Sequence, residues 1–461
     1  MPENPTLGQL LEIIAELQAE VKELKKENAS LRAIVGDLIE RNNKLQNRKN
    51  SNNSSIPPSK DENRPRKTKS LRKPSGKKPG GQKGHKGSTL EMTPVPDVVI
   101  DHKPELCAKC GFFFEAWQME LKGKRQVIDI PPIIPEYTEH RVYSARCNCG
   151  HVTKQAFPSG VDSPISYGVN IEALVAYMYS RQYLPSERMQ ELLRDVYGLP
   201  ISEGSIFNIL GRFSKKSEVA YQAIKEKIQT SKVVGSDETG IHVNGEQYWG
   251  WTWQNNEATY ITISPNRGGQ TIASTFEKGI PGAILVHDCW KPHFKMETTG
   301  HQLCIAHLLR ELKYLEERFA HSWAMDFREL LLDALSLKKK LTRVEYFYPQ
   351  KERNGIEKRL DLLLKKELPP GMKDVQTFQN RMYRYKGYLF TFLYHPDVPP
   401  DNNASERAIR NIKVKQKISG QFKSTFGANC FAMIRSITDT CLKNNQNILN
   451  ALKLIAQSKP E

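Results

Sequence analysis

Long apolar runs are missing from this 461-residue chain: no stretch of 18 apolar residues occurs, so no segment is predicted to span a membrane. The first residues lack a basic stretch followed by an apolar core, so no signal peptide is expected. Cysteine is scarce, with 8 residues, which excludes the disulfide framework of a small secreted domain. Acids are outnumbered, 51 against 68 Lys and Arg, and the net charge of +17 favours a polyanionic partner. These properties predict a cytoplasmic protein of several modules.

Residues 1–46 are predicted to form a leucine-zipper coiled coil. Leucine recurs at every seventh position, as Leu10, Leu17, Leu24, Leu31, Leu38 and Leu45. The companion a positions hold β-branched residues and Asn, namely Ile14, Val21, Asn28, Val35 and Asn42. This combination favours a parallel two-stranded coil, and therefore a homodimer. The alternative is a long helix that packs on its own protein.

Residues 47–100 are predicted to be a basic, disordered linker. Large apolar residues are almost absent, so no core can form. Between residues 60 and 86 there are eleven Lys or Arg and two acids. The segment is interpreted either as a solvated tether or as an arm that contacts DNA phosphates, and the two interpretations are compatible.

Residues 101–160 carry two cysteine pairs, Cys107 with Cys110 and Cys147 with Cys149, separated by segments with strand character at 125–130 and 137–145. This arrangement predicts a zinc-ribbon-like domain with a structural Zn²⁺. The 36 intervening residues exceed the usual separation. The reserve ligands are His151 and then His140. The alternative is two unrelated reduced pairs.

Residues 161–230 are predicted to be helical, with a helix-turn-helix outline. Met189, Leu192, Leu193 and Val196 share one helical face, and Ser202 is placed to cap the next helix, which buries Ile206, Ile209, Leu210 and Phe213. Ser205, Asn208 and Arg212 would then face a DNA groove. A plain helical packing unit is the alternative.

Three acids stand at positions where they are able to converge. Asp237 follows a predicted strand at 233–236, and Gly240 is predicted to turn the chain into a second strand, on which Trp249, Trp251 and Trp253 share one face and pack in the core. Asp288 ends the apolar run 282–287, and Glu406 lies in the first or second turn of a helix that begins near 401–403. A cluster of carboxylates requires cations, and oxygen-only ligands favour Mg²⁺ or Mn²⁺. Two such ions support phosphoryl transfer.

The chain resembles the insertion sequence 66 family of bacterial transposases, which are of the DDE type. The motifs that carry the resemblance are Ser-Asp-Glu-Thr at 236–239, His-Asp-Cys-Trp at 287–290, Cys-Ile-Ala-His-Leu-Leu-Arg at 304–310, Asn-Asn-Ala-Ser-Glu-Arg-Ala-Ile-Arg at 402–410, Asn-Ser-Ser-Ile-Pro-Pro-Ser at 53–59 and Lys-Pro-Gly-Gly-Gln-Lys-Gly-His at 78–85. They extend over nearly the whole chain, in the family's order. In the family the second cysteine pair is commonly Cys-x-x-Cys, so Cys147-x-Cys149 departs from it.

The resemblance implies a multidomain α+β protein whose residues 231–445 form a ribonuclease H-like catalytic domain, with a helical insertion at 319–396 and a C-terminal helix and tail at 446–461. It implies that Asp237, Asp288 and Glu406 bind two Mg²⁺ or Mn²⁺ ions, and that the protein cleaves insertion-sequence ends and transfers the strands without a covalent protein intermediate. The expected setting is the bacterial nucleoid, with companion proteins encoded nearby.

Basic residues near the predicted triad are candidate DNA contacts: Arg310, Arg407, Arg410, Lys413, Lys415, Lys417 and Lys423, together with Arg212 upstream. Lys413, Lys415 and Lys417 alternate and would share a face if the segment were extended. Cys304 and His307 are interpreted as a strand end that packs into a helix, since two ligands do not make a metal site.

The sequence is also compatible with two other classes of function. The first is a metal-dependent nuclease, or a catalytically inactive, repurposed DNA-binding protein. The second is a dimeric zinc-containing scaffold in which the acids are structural.

Overall fold

The computed structural model describes residues 6–46, 48–50, 53–54, 61–62, 82, 84–87, 90–158, 160–161, 163–319, 322–348 and 351–458. Thirteen α-helices and seven β-strands occur in these ranges, so the class is mixed α and β, as predicted. In the same ranges, no helix has both the length and the hydrophobicity that crossing a bilayer requires. Most of the predicted basic linker lies outside the described residues.

The chain divides into two compact units: residues 1–64, 138–195 and 199–461 form the larger, and residues 65–137 with 196–198 form the smaller. In the smaller unit, Leu106 bridges to Phe113, and the Gln126 amide pairs with both backbone groups of Thr93 at 2.8 Å. The strand predicted at 125–130 is wrong: none of the described residues forms a ladder with it, and Val127 is 95% exposed. An extended segment without a partner strand leaves its backbone groups to water.

The first helix, α1, spans Leu7–Gln46, which is the range of the leucine repeat. Its six repeat leucines are between 42% and 69% exposed in the single chain. A helix of this length gains most of its stability from packing an apolar face rather than from propensity. The leucine stripe therefore has the form that a coiled coil requires, and pairing with a second copy stays a prediction.

Four helices precede the sheet: α2 (Val169–Ser180), α3 (Ser186–Tyr197), α4 (Glu203–Lys216) and α5 (Glu218–Gln229). Ser202 caps α4 as predicted, because its hydroxyl accepts the N–H of Ser205 at 3.1 Å. The predicted apolar face of α4 is buried. On α3, Met189 and Leu193 are buried. Val196, which was predicted to share their apolar face, is 58% exposed and is not part of the core.

Seven strands form two sheets. The small sheet is a hairpin of β1 (Ser144–Arg146) and β2 (Val152–Lys154). The large sheet contains β3 (Val233–Val243), β4 (Glu246–Gln254), β5 (Thr259–Ser264), β6 (Ile280–His287) and β7 (Thr298–Leu303), with α6 (Gly269–Thr275) between β5 and β6. Its strand order is β5-β4-β3-β6-β7. β3, β4 and β5 are antiparallel neighbours, and β6 and β7 run parallel to β3.

The central strand β3 is longer than the sequence predicts. It continues through Asp237 and Gly240 to Val243, and the chain turns at Asn244 and Gly245, both at positive φ. The predicted strand end at Asp237 and turn at Gly240 were wrong, because pairing with β4 continues from Gly235 to Val243. Asp237 therefore lies in the middle of a strand that is paired with β4 on both sides of it along the chain.

The tryptophans of β4 pack as expected from the two-residue period of a strand. Trp251 and Trp253 are fully buried, and their rings stack with centroids 5.6 Å apart. Trp249 shares their face but is half-buried. This face of the sheet forms an aromatic core, which leaves the opposite face of β3 and β4 to pack against a helix.

The remaining helices are α7 (Ile305–Phe319), α8 (Ser322–Lys340), α9 (Lys351–Lys365), α10 (Lys373–Arg384), α11 (Asn403–Ser419), α12 (Thr425–Lys443) and α13 (Ile448–Gln457). The described part of 319–396 is helical and shares an apolar core that includes Trp323, Phe327 and Phe378. α11 packs on β3 and β4. The extended segment predicted at 413–417 was wrong, because these residues belong to α11.

Candidate active site

Asp237 faces the side of the sheet that α11 covers. In the β3–β4 register it lies opposite Thr252, and its Oδ1 accepts the N–H of Glu238 at 3.0 Å. Burial raises the pKa of Asp237 well above its usual range, and the charges of Glu238, Asp288 and Glu406 raise it further. The carboxyl group therefore sits in a field of negative charge that disfavours ionisation unless a cation is present.

Asp288 is the first residue after β6, as the sequence predicts. β6 lies beside β3 in parallel, with Gly235 paired to Val286, so the end of β6 comes close to Asp237. The N–H of Trp290 donates to Asp288 Oδ1 at 3.0 Å and holds the side chain in a tight turn. Burial raises the pKa of Asp288, and the hydrogen bond from Trp290 opposes that shift.

Glu406 lies in the first turn of α11, again as predicted. Its side chain is 22% exposed, and its Oε1 accepts a hydrogen bond from Arg310 Nη2 at 3.2 Å. Because Glu406 is one of the causes of the raised pKa of Asp237, the two carboxylates are close enough to repel each other. The charges of Asp288 and Glu406 therefore both act on Asp237.

A hydrogen-bond network that the sequence pattern did not predict fixes the start of α11 against β3. The Asn402 side-chain amide donates to the Ser236 carbonyl at 2.6 Å, and Ser405 Oγ donates to Asn402 Oδ1 at 2.6 Å. Gln254 Nε2 donates to Ser405 Oγ at 3.3 Å. All these groups are buried. The only signal for them was the polar composition of Asn-Asn-Ala-Ser, which also suits an ordinary helix start.

Gly235 allows the close approach that this network needs. A Cβ at this position would lie 2.6 Å from both Ser405 Oγ and Gln254 Nε2, and 2.8 Å from Asn402 Oδ1. These distances are shorter than any normal contact. The absence of a side chain at Gly235 therefore determines how near the Glu406 helix comes to the Asp237 strand.

A fourth acid, Glu238, lies on the opposite face of β3 and was not among the predicted site residues. Its side chain is 2% exposed, and Oε1 accepts from Arg267 Nε at 3.0 Å. The Arg267 guanidinium in turn lies over the Trp290 and Trp249 rings, 3.8 and 4.7 Å from their centroids. Burial, and then the charge of Asp288, raise the pKa of Glu238 to about 7. The two-residue period places Glu238 on the tryptophan face, which was the available signal.

Two buried histidines, His287 and His301, form a hydrogen-bonded chain behind Asp288. Burial lowers the pKa of His287 well below its usual range and that of His301 to about 4, so both rings are neutral. The His287 Nδ1–H donates to the Asp288 carbonyl, and its Nε2 accepts from His301 Nδ1 at 3.1 Å. His301 Nε2 accepts from Thr298 Oγ1 at 3.3 Å. The chain has one consistent set of tautomers and holds the backbone of Asp288 in place.

Two groups of three potential metal ligands have their donor atoms within 4.8 Å of one another in the described part of the chain. One is His287, Asp288 and His293, and the other is Cys304, His307 and Glu406. Neither group combines the three predicted acids. The second adds Glu406 to the pair Cys304 and His307, for which the sequence predicts no metal site because two ligands do not make one.

The basic residues of α11 divide by helical position. Arg410, Lys413 and Lys417 follow Glu406 at spacings of four, three and four, so they form one stripe on its side of the helix. Lys413 donates to the Gly240 carbonyl. Lys415 lies on the opposite side of the helix and is only 3% exposed. Its ammonium donates to the Leu184 carbonyl at 2.9 Å, so the prediction that Lys415 contacts DNA is wrong. Of the other predicted contacts, Arg407, Lys423 and Arg212 are exposed, and Arg212 pairs with Glu172.

Each cysteine pair of the predicted zinc domain lies in a tight turn closed by a glycine. Gly111 and Gly150, at φ 74° and 87°, donate their N–H groups to the carbonyls of Cys107 and Cys147 at 2.9 Å. Backbone N–H groups of Lys109 and Cys110 lower the pKa of the Cys107 thiol, and that of Cys149 lowers the pKa of the Cys147 thiol. The first pair belongs to the smaller unit and the second to the larger.

Comparison with known proteins defines the class of this protein. The family described as Transposase IS66 family matches residues 164–430, which include all five strands of the large sheet and the three acids. The chain therefore belongs to the IS66 family of transposases. Residues 2–91 match a family of unknown function, DUF6444. The uncharacterized protein y4qI of Sinorhizobium fredii (strain NBRC 101917 / NGR234) is 24% identical over 432 residues, covering 85% of this chain and 78% of that protein.

Proposed function

We propose that this protein is a DNA transposase that cleaves the ends of an insertion sequence and joins them to target DNA, with Asp237, Asp288 and Glu406 as its catalytic carboxylates. Membership of the IS66 transposase family supports a transposase role in general. The observation that carries the residue assignment is the packing of the three elements: β6 pairs in parallel with β3 beside Asp237, and the hydrogen bond from Asn402 to Ser236 holds the Glu406 helix on the same strand. The charges of Asp288 and Glu406 both raise the pKa of Asp237, which supports the same assignment. Acids from a central strand, a neighbouring strand end and a later helix thus repel each other at one place.

The proposed catalytic domain has a ribonuclease H-like fold. The support is the strand order β5-β4-β3-β6-β7, with three antiparallel strands followed by two parallel ones, and α11 packed on β3 and β4. In this arrangement the acids occupy the middle of the central strand, the end of the adjacent parallel strand and a helix laid across the sheet. The helices between residues 319 and 396 are then an insertion before the last acid.

The donor chemistry of the three acids fits Mg²⁺ or Mn²⁺. All three offer carboxylate oxygens, which hard divalent cations prefer. Burial and mutual repulsion raise the pKa of Asp237 and, through burial, that of Asp288, so the empty cluster is electrostatically unfavourable when ionised. Bound cations would reverse that penalty. Two ions held there supply activation of an attacking oxygen and stabilisation of a leaving oxygen in phosphoryl transfer.

In this proposal the side chains of the site hold the metal ions and keep one another in position. Asp237, in the middle of β3, would hold the ions together with Asp288 and Glu406. The Asn402 and Ser405 network keeps Glu406 in reach by fixing the start of α11 to β3. No residue of the site is assigned as a nucleophile, so cleavage by water and joining by a DNA 3′-hydroxyl proceed without a covalent protein intermediate.

DNA binding is proposed along the stripe of α11 that starts at Glu406. Arg410, Lys413 and Lys417 continue this stripe, and Arg310 lies at its start, 3.2 Å from Glu406. Cations in a row beside a phosphoryl-transfer site suit the spacing of a DNA backbone. Arg407 and Lys423 are exposed nearby in sequence and belong to the same proposal, and Arg212 belongs to the proposed helix-turn-helix of α3 and α4.

Two further modules are proposed. Structural Zn²⁺ ligation by cysteine is proposed, and each cysteine turn, at Cys107–Cys110 and at Cys147–Cys149, supports it separately because backbone N–H groups stabilise a thiolate there. The exposed leucine stripe of α1 supports a homodimer that holds two DNA ends in one assembly. The expected setting is the bacterial cytoplasm at the nucleoid, with accessory proteins as further partners.

The test is a joining assay with purified protein, Mg²⁺ and the DNA that flanks its coding region. We expect cleavage and joining by the wild type, and neither by Asp237→Asn, Asp288→Asn or Glu406→Gln, although all three still bind DNA. The matched control is Glu257→Gln, which removes a surface carboxylate paired with Lys227. Joining by any of the three variants contradicts the assignment, and cleavage without joining by the wild type indicates a nuclease.

A further inference from the structure

A Cys-x-x-His turn at the start of α7 meets the first turn of α11. Cys304, His307 and Glu406 each present one donor atom, and the three atoms lie within 4.8 Å of one another. His307 Nδ1 is 3.7 Å from Glu406 Oε1. Sulfur, imidazole nitrogen and carboxylate oxygen therefore face one common point, although Glu406 is about 100 residues distant along the chain.

Cys304 and His307 each present a buried donor atom to this point. Cys304 is 1% exposed, and its Sγ accepts the N–H of Asn402 at 3.2 Å and the backbone N–H of His307. Burial raises the pKa of the Cys304 thiol to about 11 and these amide donors oppose the shift, so a cation would bind there in exchange for the thiol proton. His307 Nδ1 is buried and makes no hydrogen bond to any described residue. A buried ring nitrogen without a partner, directed at a carboxylate, requires an explanation.

The neighbouring group of His287, Asp288 and His293 lacks this property. Both ring nitrogens of His287 are engaged, one with the Asp288 carbonyl and the other with His301. His287 is therefore not available as a ligand unless the histidine chain breaks. Of the two groups, only Cys304, His307 and Glu406 offer three donors that a cation is able to take.

We propose that Cys304, His307 and Glu406 bind a thiophilic divalent cation of the Zn²⁺ type, and that its binding withdraws Glu406 from the cluster with Asp237 and Asp288. A set of sulfur, nitrogen and oxygen donors suits Zn²⁺ and does not suit Mg²⁺. Water completes a tetrahedral site with three protein ligands. The cation would replace Arg310 as the partner of Glu406 Oε1, from which Arg310 Nη2 is now 3.2 Å distant.

The consequence for activity rests on the proposed function. Glu406 is one residue with two competing uses: a ligand of the magnesium cluster and a ligand of the thiophilic site. Zn²⁺ would therefore inhibit DNA joining in competition with Mg²⁺. The binding itself does not depend on that function and is testable without DNA.

The first experiment measures Co²⁺ binding to full-length protein after removal of bound metal, by thiolate-to-cobalt charge-transfer absorption. Cobalt replaces zinc in such sites and reports sulfur ligation. We expect Cys304→Ser, His307→Ala and Glu406→Gln each to weaken one binding event by more than about tenfold relative to wild type. Cysteines 107, 110, 147 and 149 contribute a signal of their own, so the comparison is the difference between variants.

The matched controls are Cys441→Ser, which removes a buried cysteine on α12, and Asp237→Asn, which removes a proposed magnesium ligand. Both should bind Co²⁺ like the wild type. Circular dichroism verifies that each variant is folded, and Cys304→Ala is the second choice if the serine variant is not. Equal cobalt binding and equal absorption in all folded variants would overturn the proposed site.

The second experiment titrates Zn²⁺ into the joining assay at constant Mg²⁺. The joining rate of each variant is expressed relative to the rate of the same variant without zinc. Wild type and Cys441→Ser should lose activity at the zinc concentration that fills the site, and Cys304→Ser should require more than about tenfold higher zinc. Equal zinc sensitivity of these variants would overturn the inhibitory role. Absence of joining without zinc would instead count against the proposed function, and the cobalt result would still stand.

Discussion

The side-chain amide of Asn402 donates a hydrogen bond to the backbone carbonyl of Ser236 at 2.6 Å. Ser236 immediately precedes Asp237 in β3, and Asn402 immediately precedes α11, which carries Glu406. One hydrogen bond thus joins the two elements that present the first and last acids of the candidate site. Both residues are buried, so water does not compete for the bond.

Replacing Asn402 by Ala should separate these elements. The Ser236 carbonyl and the Ser405 hydroxyl would each lose a buried partner, so we expect a loss of about 1–3 kcal/mol in the free energy of unfolding. The rate of DNA joining should fall by more than the loss of folded protein explains, because Glu406 is no longer held in position. Urea unfolding and the joining assay provide the two measurements. The exposed neighbour Asn403 supplies the control, and equal effects of Asn402→Ala and Asn403→Ala would refute the anchoring role.

The Gly235→Ala substitution tests how closely α11 must approach β3. The added Cβ would lie 2.6 Å from Ser405 Oγ, so the helix or the strand has to move. Overpacking of this kind costs about 1–3 kcal/mol, and we expect joining activity to be lost along with it. The control is Gly282→Ala in β6, where a Cβ meets nothing within 4 Å. Full activity of a folded Gly235→Ala protein would show that the spacing of the two elements is not critical.

Glu238 should make the stability of the metal-free protein depend on pH. Burial raises the pKa of Glu238 from 4.5 to about 7, so between these values the folded state binds more protons than the unfolded state. Its contribution is complete below pH 4.5 and is lost as the pH rises through 7, by about 3 kcal/mol in all. Glu238→Gln should remove this part of the pH dependence and gain stability relative to wild type at the higher pH.

The measurement for Glu238 is chemical unfolding at a series of pH values in the presence of a chelator, which keeps divalent ions away from the acids. The exposed residue Glu246, at the far end of the β3–β4 hairpin, is the control. If the free energies of unfolding of Glu238→Gln and wild type differ by a constant amount from pH 4.5 to 7, the raised pKa of Glu238 is contradicted.

Lys415 and Lys417 should behave in opposite ways although they are two residues apart. Lys415→Met leaves the Leu184 carbonyl without its buried donor and removes the ammonium that lies 4.1 Å from the centroid of the Tyr179 ring, so stability should fall by about 1–3 kcal/mol. Lys417→Met should leave stability within about 0.5 kcal/mol but weaken DNA binding and lower its salt slope by about 0.9. Thermal unfolding and filter binding at several salt concentrations distinguish them. A weaker salt dependence in Lys415→Met with unchanged stability would reverse the assignment.

The difference between these lysines also shows that their spacing alone does not distinguish a strand from a helix. Alternating Lys413, Lys415 and Lys417 satisfy the two-residue period of a strand, and the same letters satisfy a helix in which Lys415 lies on the buried side. Local pattern does not decide between the two, because the partner surface decides it: Ile409 and Ile412 pack α11 against the sheet. A strand prediction also failed at 125–130, where no described partner strand exists.

The helical segments and the buried faces were more predictable. The leucine repeat of α1, the Ser202 cap and the apolar stripe of α4, and the tryptophan face of β4 all depend on neighbours within a few residues, and each was located correctly. The positions of Asp288 after β6 and of Glu406 in the first turn of α11 follow from the same local rules. Glu238 and the histidine chain were missed, since their roles depend on contacts from Arg267, His301 and Thr298.

By itself the sequence determined the composition of the candidate site: three acids, their order along the chain and the kinds of element that carry them, because residue type and local periodicity are properties of short segments. Only the tertiary structure decided how the acids relate to one another, since β6 pairs in parallel with β3 and Gly235 admits α11 against the same strand. It also placed Cys304 and His307 beside Glu406, a contact that no spacing in the chain encodes. The physical reason is that repulsion, burial and metal affinity act through space, over distances that the order of residues does not contain.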